Sequence, residues 1–311
     1  MASGLFENTS IPFRLLISLV IILGSFLVFS VIGTLLVMLV YGADPVMILE
    51  GLSDPDDPHV LNMLRFLQVV QSLGLFIIPS LLLAYLLSSH PGHFLGFRQC
   101  PGWPVWITGG LVLIVAIPLI NVLAEWNMAV RFPDFLEGVE EWMRSREEEA
   151  SRLTEAFLEF DRPGGLWISL LIVAMIPALG EELLFRGVVQ RLFTEWWRNV
   201  PAAVVVTAIL FSALHLQFFG FVPRMLMGIW FGYLLVWSGT LWLPILSHFL
   251  NNAVIVVFYF LMERGMINSD IEHIGATPGS YWTGILSVIL TGVMIWMVYR
   301  QGKGVSPDQI S

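Results

Sequence analysis

Residues 166–193 read LWISLLIVAMIPALGEELLFRGVVQRLF, an apolar stretch interrupted by two adjacent glutamates and an arginine. About 20 apolar residues in a helix cross the hydrocarbon core of a bilayer, so this stretch is long enough to span a membrane. Glu181, Glu182 and Arg186 lie deep inside it. Ionisable side chains are costly at that depth and are therefore candidates for a functional site. The stretch predicts a membrane helix that carries chemistry.

The composition of the whole chain points to the same environment. Of its 311 residues 57% are hydrophobic and only 13% are charged, and the mean hydropathy is +0.80. Soluble domains are about 45–50% apolar and about 25% charged. The chain is therefore predicted to be an integral membrane protein with the lipid bilayer as its main partner. Its net charge of −9 argues against a nucleic-acid partner, and its single cysteine, Cys100, excludes an intramolecular disulfide.

Seven further apolar runs have about the length of a membrane span. They cover residues 15–42, 61–88, 104–124, 201–219, 222–238, 241–262 and 281–299. Together with 166–193 they predict an all-α fold, a polytopic membrane helix bundle of about eight transmembrane helices. The weakest boundary is the short break at Ser238–Thr240 between the sixth and seventh spans.

The long connection between the third and fourth spans, residues 125–162, contains a charged amphipathic helix. Its apolar side chains recur at spacings of three and four or their sums, at Phe135, Val139, Trp142, Ala150, Leu153 and Phe157. Such a narrow stripe on an acidic helix is typical of a helix at the membrane interface or over the mouth of the protein. A solvated connector is the simpler alternative.

We divide the single membrane domain into an N-terminal region, residues 1–162, with three spans and the acidic helix, and a C-terminal catalytic core, residues 163–311. The distribution of cations predicts a multi-pass protein of the cell inner membrane with both termini in the cytoplasm. The cations on that side would be Arg14, Arg98, Arg191, Arg198, Arg300 and Lys303. Five arginines in the connection 125–162 weigh against this orientation.

The two glutamates of the fourth span differ in whether their own helix offers an ion-pair partner. Glu182 and Arg186 are four residues apart, so they lie on one helix face and can pair. Glu181 is turned by about 100° from Glu182 and has no cation on its own helix face. It must therefore find a partner on another helix or else take up a proton.

Two other spans supply polar side chains at a similar depth. His215 stands among aliphatic residues in the fifth span, and His248 and Asn252 share one face of the seventh span at a spacing of four. So many desolvated groups on three helices favour a functional site over a purely structural arrangement.

This set of side chains is suited to hydrolysis by an activated water molecule. A carboxylate in a low-dielectric environment can act as a general base, and a nearby histidine can share that task. An asparagine and a second histidine can stabilise an oxyanion. Ser247 adjoins His248 in sequence, which points it to another side of the helix. Neither Ser247 nor Ser212, which lies near His215, is predicted to be a nucleophile.

A zinc site is the rival interpretation. Two glutamates and two histidines are good zinc ligands, and a zinc-bound water would serve the same hydrolysis. However, the sequence contains no H-E-x-x-H motif, and Arg186 competes for Glu182. The residues therefore favour a site with no cofactor, with zinc as the alternative.

Three short motifs resemble the signature of a known family. They are Glu181-Glu182-Leu-Leu-Phe-Arg186, Phe211-Ser-Ala-Leu-His215 and His248-Phe-Leu-Asn-Asn252. In order and spacing they are similar to E-E-x-x-x-R, F-x-x-x-H and H-x-x-x-N of the CAAX prenyl endopeptidase and bacteriocin-processing family (CPBP), also called abortive-infection membrane proteases. The resemblance covers about residues 165–262.

The resemblance implies a role for each matched residue. Glu181 and His215 would activate the attacking water, His248 and Asn252 would form the oxyanion hole, and Glu182 and Arg186 would support them. It implies a metal-independent intramembrane glutamate endopeptidase that cuts near the C-terminus of a lipidated, prenylated or otherwise membrane-bound peptide. Two alternatives from other classes stay open: a non-catalytic membrane immunity or peptide-binding protein, and a proton-coupled transporter, because Glu–His chains also build proton relays.

Overall fold

The computed structural model describes residues 3–42, 46, 57–98, 102–158, 160, 164–267 and 271–302, without the side chain of residue 272. Cys100 lies outside these ranges. Helix accounts for 82% of the residues that the structure describes, and these residues contain no strand. The predicted all-α fold is therefore confirmed.

Nine principal helices make up the described chain. They are α1 Ile11–Tyr41, α2 Pro58–Leu87, α3 Trp103–Met128, α4 Glu137–Phe157, α5 Gly165–Trp197, α6 Val200–Leu214, α7 Phe221–Ser238, α8 Trp242–Glu263 and α9 Tyr281–Gly302. Among the described residues, seven helices are long and apolar enough to cross a membrane, namely all except α4 and α6. The chain is therefore a multi-pass integral membrane protein embedded in the lipid bilayer.

The predicted spans agree closely with these helices. The break between the sixth and seventh spans is real, because α7 ends at Ser238 and Gly239 takes a left-handed conformation with φ of 69°. Glycine adopts that conformation without steric cost, which is why it so often follows the end of a helix. The third span is divided at Ala116 into two helical segments, and Pro118 stands at the start of the second.

The fifth predicted span is wrong at its C-terminal end. We expected it to run over residues 201–219, but α6 ends at Leu214 and is only 15 residues long. At 1.5 Å per residue such a helix covers about 22 Å, less than the ~30 Å of hydrocarbon. The helix stops because Leu216 has a left-handed backbone with φ of 53°, and the Ser212 hydroxyl donates to the Phe221 carbonyl as the chain returns. Irregular backbone is tolerated at this depth where it lines a cavity.

Helix α5 lies at the centre of the bundle, whereas α1 lies at its edge. Within the most apolar 18-residue window of each helix, 56% of the residues of α5 are buried, but only 6% of those of α1. A single face of α1 packs against α2, where Gly33 lies against the side chain of Val70. The polar face of α5 is consequently shielded from lipid by its neighbours.

Helix α4 confirms the predicted amphipathic helix. Its C-terminal turn is anchored: the hydroxyl of Ser169 donates to the carbonyl of Phe157, which is itself buried. Near its N-terminus, hydrogen bonds from the backbone amide of Phe132 and the side chain of Arg144 lower the pKa of Glu140 to about 2. The helix is thus fixed at both ends to the rest of the protein.

Both ends of the described chain lie at one end of the bundle. The amide of Gly4 donates to the carbonyl of Tyr85 at the end of α2. Gly302 packs against the backbone of Trp237 at the end of α7. We call this the terminal end. The opposite end, where α4 lies beside the turn between α6 and α7, is the cavity end.

Candidate functional site

A cavity of about 450 Å³ lies among α2, α4, α5, α7, α8 and the α6–α7 turn. Four of the predicted site residues line it, namely Glu181, His215, His248 and Asn252. Glu182 and Arg186 lie behind this surface, with side chains that are completely inaccessible to solvent. The fold thus brings together all six predicted residues, from three separate segments of the chain.

The two glutamates are in a short α-helical segment, Ile176–Glu182, between two π-helical segments, Leu170–Met175 and Leu183–Val189. Pro177 lies within the continuous helix α5 and has no N–H to donate to the preceding turn, which favours an irregular backbone here. Each π-helical segment rotates the residues after it relative to a regular helix, and such segments are frequent at functional sites. The irregularity therefore decides which side chains of α5 face the cavity.

Helix α5 also approaches α2 closely at the residue before the glutamates. A Cβ atom on Gly180 would lie 2.9 Å from the Cβ of Phe76. Real side chains do not approach so closely, so glycine is required if the two helices are to keep this distance. Gly180 thereby fixes the position of Glu181.

The predicted pair of Glu182 and Arg186 is present and is extended by a histidine. Arg186 Nη1 donates to Glu182 Oε1 at 3.0 Å, and His248 Nδ1 lies 2.9 Å from the same oxygen. Because a carboxylate only accepts, Nδ1 carries the proton of His248. The other ring nitrogen, Nε2, is left for the cavity. This chain of contacts fixes the tautomer and orientation of the ring.

The buried charge of Arg186 is stabilised by more than the carboxylate of Glu182. Its Nη2 donates to the carbonyl of Gly228 at 2.9 Å, and the guanidinium carbon lies 4.6 Å from the ring centre of Phe211 and 5.2 Å from that of Phe231. Aromatic faces attract cations, most strongly where water is excluded. The cation is therefore held rigidly between helices.

The carboxylate of Glu181 is the acidic group that faces the cavity. Only 11% of the side chain is exposed, and Oε2 has no hydrogen-bond partner among the described protein groups. The partner expected from another helix is His248, whose Nε2 lies 4.0 Å from Oε2. That separation is too long for a direct hydrogen bond, so Glu181 is free to interact with a molecule in the cavity.

His215 lies at the end of a helix rather than in the middle of a span. It follows the last residue of α6, and its Nδ1 lies 2.9 Å from the carbonyl of Phe211. A carbonyl only accepts, so Nδ1 carries a proton and Nε2 of the neutral ring is an unprotonated base.

Two neighbouring asparagines complete the polar wall. Asn252 Nδ2 donates to the carbonyl of Val173 at 3.3 Å, and its Oδ1 accepts from Asn251 Nδ2 at 3.2 Å. The sequence analysis selected Asn252 and missed Asn251, although both line the cavity. Residues 251 and 252 are adjacent in a helix, and the repeated asparagine was the available signal.

The cavity contains further polar side chains that the sequence analysis did not select. They are Gln68 on α2, Gln217 in the α6–α7 turn and Arg224 in the first turn of α7. Arg224 lies at the very start of the sixth span, residues 222–238, where it reads as an ordinary cation near a helix end. Its place in the site depends on the early end of α6, which the sequence pattern did not indicate.

Neither serine beside a histidine is placed as a nucleophile. The hydroxyl of Ser212 donates to Phe221, and that of Ser247 accepts from the indole N–H of Trp230 at 3.2 Å. Both serines are fully buried. The prediction that they point away from the site is confirmed.

The zinc alternative lacks a cluster of ligands. Among the described residues, no group of three histidine, cysteine, aspartate or glutamate side chains is arranged to hold a metal ion. One oxygen of Glu182 is already shared by Arg186 and His248. The donor set therefore does not fit a resident zinc ion.

Comparisons with known proteins address the same segment of the chain. The family model described as "Type II CAAX prenyl endopeptidase Rce1-like" matches residues 163–254, which include all six predicted site residues. The chain is also similar to the uncharacterized protein YpbD of Bacillus subtilis (strain 168), with 26% identity over 144 residues, 45% of this chain. The similar region spans 64% of the length of that relative. No solved structure has significant similarity to the chain.

Motif order, buried geometry and family match agree over this segment. Over residues 163–254 the chain therefore matches the Rce1-like family of type II CAAX prenyl endopeptidases, within the wider CPBP group.

Proposed function

We propose that this protein is an intramembrane, metal-independent endopeptidase that hydrolyses a peptide bond near the C-terminus of a lipidated, CAAX-like or other membrane-associated substrate. The observation that carries the proposal is that Glu181, His215 and His248 surround one cavity inside a membrane-spanning bundle. The family of residues 163–254 supports a CAAX-type membrane protease.

Glu181 and His215 would activate water. The carboxylate of Glu181, which lines the cavity, accepts one hydrogen of the water, and the unprotonated Nε2 of His215 is a second base. As the water oxygen bonds to the scissile carbonyl carbon, its proton passes to the base. The same proton is then given to the amide nitrogen as the C–N bond breaks, so no covalent intermediate with the protein forms.

His248 and Asn252 would stabilise the oxyanion of the tetrahedral intermediate. This role requires a second proton on His248, at Nε2 in addition to the one on Nδ1, and one amide hydrogen of Asn252 directed at the substrate oxygen. Glu182 and Arg186 act through His248, because the carboxylate holds its Nδ1 and the guanidinium holds the carboxylate. They are positioning residues.

The surroundings of the site favour a membrane-bound substrate. The cavity is also lined by apolar side chains, among them Phe157, Ile172 and Phe231, which suit a lipid chain or an apolar peptide. Trp230 of α7 does not line the cavity and is part of the hydrophobic core. We further propose that the protein resides in the cell inner membrane with both termini in the cytoplasm.

Cleavage of a fluorogenic farnesylated peptide by the purified protein in detergent tests the proposal. We expect Glu181→Gln and His215→Ala each to lower kcat by about 10²–10⁴-fold, the usual contribution of a general base. We expect a chelator to have no effect. Glu125→Gln is the matched control, because Glu125 is half-exposed and lies outside the cavity.

Full activity of a folded Glu181→Gln protein would overturn this mechanism. Loss of wild-type activity with a chelator, restored by zinc, would replace it with metal-dependent hydrolysis. If the wild type cleaves no peptide, proton uptake by proteoliposomes under a pH gradient separates the transporter from the binding protein.

A further inference from the structure

Arg224 is a cation in the cavity that the proposed chemistry does not use. Its Nη2 donates to Gln217 Oε1 at 2.6 Å and its Nη1 to the Gln217 carbonyl at 3.5 Å. Within the described part of the chain, no carboxylate oxygen lies within 4.0 Å of its guanidinium. Six other arginines of the protein have such a partner: Arg14, Arg131, Arg144, Arg146, Arg186 and Arg191.

A cation without a carboxylate partner is costly in a membrane-spanning segment, so Arg224 is a candidate for a functional residue. The guanidinium is held by its two hydrogen bonds to Gln217, and it packs closely over Gly220, where an added Cβ would lie 3.1 Å from Nη2. Its charge acts on Glu181 inside the cavity and on Glu147 of α4 at the cavity end. The geometry therefore presents a fixed positive charge to whatever occupies the cavity.

The position of Arg224 along α7 relates it to the catalytic centre. Arg224, Met227 and Phe231 follow one another at spacings of three and four and all line the cavity. The ring of Phe231 is stacked on that of His248, with 4.7 Å between the ring centres. Arg224 and Phe231 are seven residues apart, so they are separated by about 10 Å along the helix axis. A few extended peptide residues span this distance.

We propose that Arg224 binds the free α-carboxylate of the substrate's C-terminal residue and so selects peptides by their C-terminus. This inference rests on the proposed protease function. A guanidinium binds a carboxylate through two parallel hydrogen bonds, and this interaction is strong where water is excluded. The C-terminal carboxylate is the anion that a protease cutting near a C-terminus must accommodate. Arg224 is thus a specificity residue, distinct from the groups that act on the scissile bond.

Two farnesylated peptides that differ only at the C-terminus, one a free acid and one an amide, test this inference. We expect the wild type to favour the acid at least tenfold in kcat/KM, mainly through KM. Arg224→Gln should bring the ratio of acid to amide close to one, and Arg224→Lys should restore part of it. Arg264→Gln is the matched control, because Arg264 is an exposed arginine outside the cavity, and it should leave the ratio unchanged.

Binding of the same dansyl-labelled peptides to the Glu181→Gln protein gives a readout that is independent of cleavage. At least tenfold tighter binding of the acid, lost in Glu181→Gln/Arg224→Gln, supports the carboxylate site even if the wild type proves inactive. Equal binding of acid and amide, or a preference that survives Arg224→Gln, overturns it. Failure of the hydrolytic proposal and failure of this one are therefore distinguishable.

Discussion

At the scale of single residues, substitutions of the buried pair Glu182 and Arg186 should affect stability and activity differently. Both side chains are completely buried, so removing one strands the charge of the other. Arg186→Gln is therefore expected to cost about 3–5 kcal/mol of stability. A matched double variant, Glu182→Leu/Arg186→Met, removes both charges and should recover most of that loss, because apolar replacements of a buried pair are often neutral. Thermal unfolding in detergent measures both effects.

The double variant should nevertheless remain inactive. His248 Nδ1 loses the carboxylate that fixes its tautomer, and in the comparable histidine–carboxylate pair of serine proteases this costs on the order of 10⁴-fold in kcat. A double variant with wild-type activity would contradict the positioning role. An Arg186→Gln protein as stable as the wild type would contradict the energetic argument.

The residues of the site differ in how far sequence could predict them. An ionisable group in an apolar span is costly and therefore indicates a function. This argument predicts Glu181, His215 and His248 from the sequence. The contact of His248 with Glu182 was not predicted, because spacing along one helix does not tell which helices face each other. Arg224 was missed because it lies near the start of a span, where a long basic side chain usually reaches water, and the sequence alone does not show that it lines a cavity.

At the scale of helices, the short distance between α5 and α2 leads to a prediction that alanine substitutions of two glycines can test. An alanine at Gly180 would press on the Cβ of Phe76, an atom that cannot move without its backbone. An alanine at Gly187 would meet the terminal Cδ2 of Leu95 at 2.9 Å, which a change of rotamer can relieve. We expect Gly180→Ala to lower kcat/KM at least tenfold, since it displaces Glu181, and Gly187→Ala to stay within about twofold.

Peptidase kinetics of the two purified variants, with thermal unfolding alongside, checks this expectation. Overpacking costs about 1–3 kcal/mol, so Gly180→Ala should still fold. Equal activities of the two variants would mean that the distance between α5 and α2 does not position the carboxylate.

The helices were predictable to the extent that the bilayer dictates their length. Runs of about 20 apolar residues gave most of the spans to within a few residues, because an interrupted helix would expose unsatisfied backbone to lipid. The end of α6 could not be obtained in this way. Residues 215–219 contain three apolar side chains and no Asp, Glu, Lys or Arg, so they do not signal an end, and the turn depends on the left-handed Leu216 and on the contact of Ser212 with Phe221.

The two halves of α4 explain why its role was ambiguous in sequence. Val139 and Trp142 lie on its exposed N-terminal half and Phe135 lies just before it, with 46%, 51% and 83% of their surfaces accessible. Leu153 and Phe157 continue the same stripe but line the cavity. One periodic pattern thus serves the membrane interface and the site, and periodicity alone does not separate the two.

At the scale of the whole molecule, the cavity and the chain termini lie at opposite ends of the bundle. Residues 3–10 and 302 belong to the terminal end, whereas Thr154 of α4 and the α6–α7 turn line the cavity at the other. If both termini are cytoplasmic, the cavity therefore opens on the non-cytoplasmic face. The orientation of the protein then decides which compartment supplies the substrate's C-terminus.

Labelling of single cysteines in intact cells tests this arrangement. In a Cys100→Ser background, Thr154→Cys and Ser10→Cys place one exposed thiol at each end of the bundle. The hydroxyl of Thr154 contacts only a carbonyl of its own helix, so its replacement should cost little. With a membrane-impermeant maleimide we expect Thr154→Cys to react and Ser10→Cys to react only after lysis. The reverse pattern would place the cavity mouth in the cytoplasm, and labelling of both in intact cells would contradict the assignment of the two positions to opposite ends.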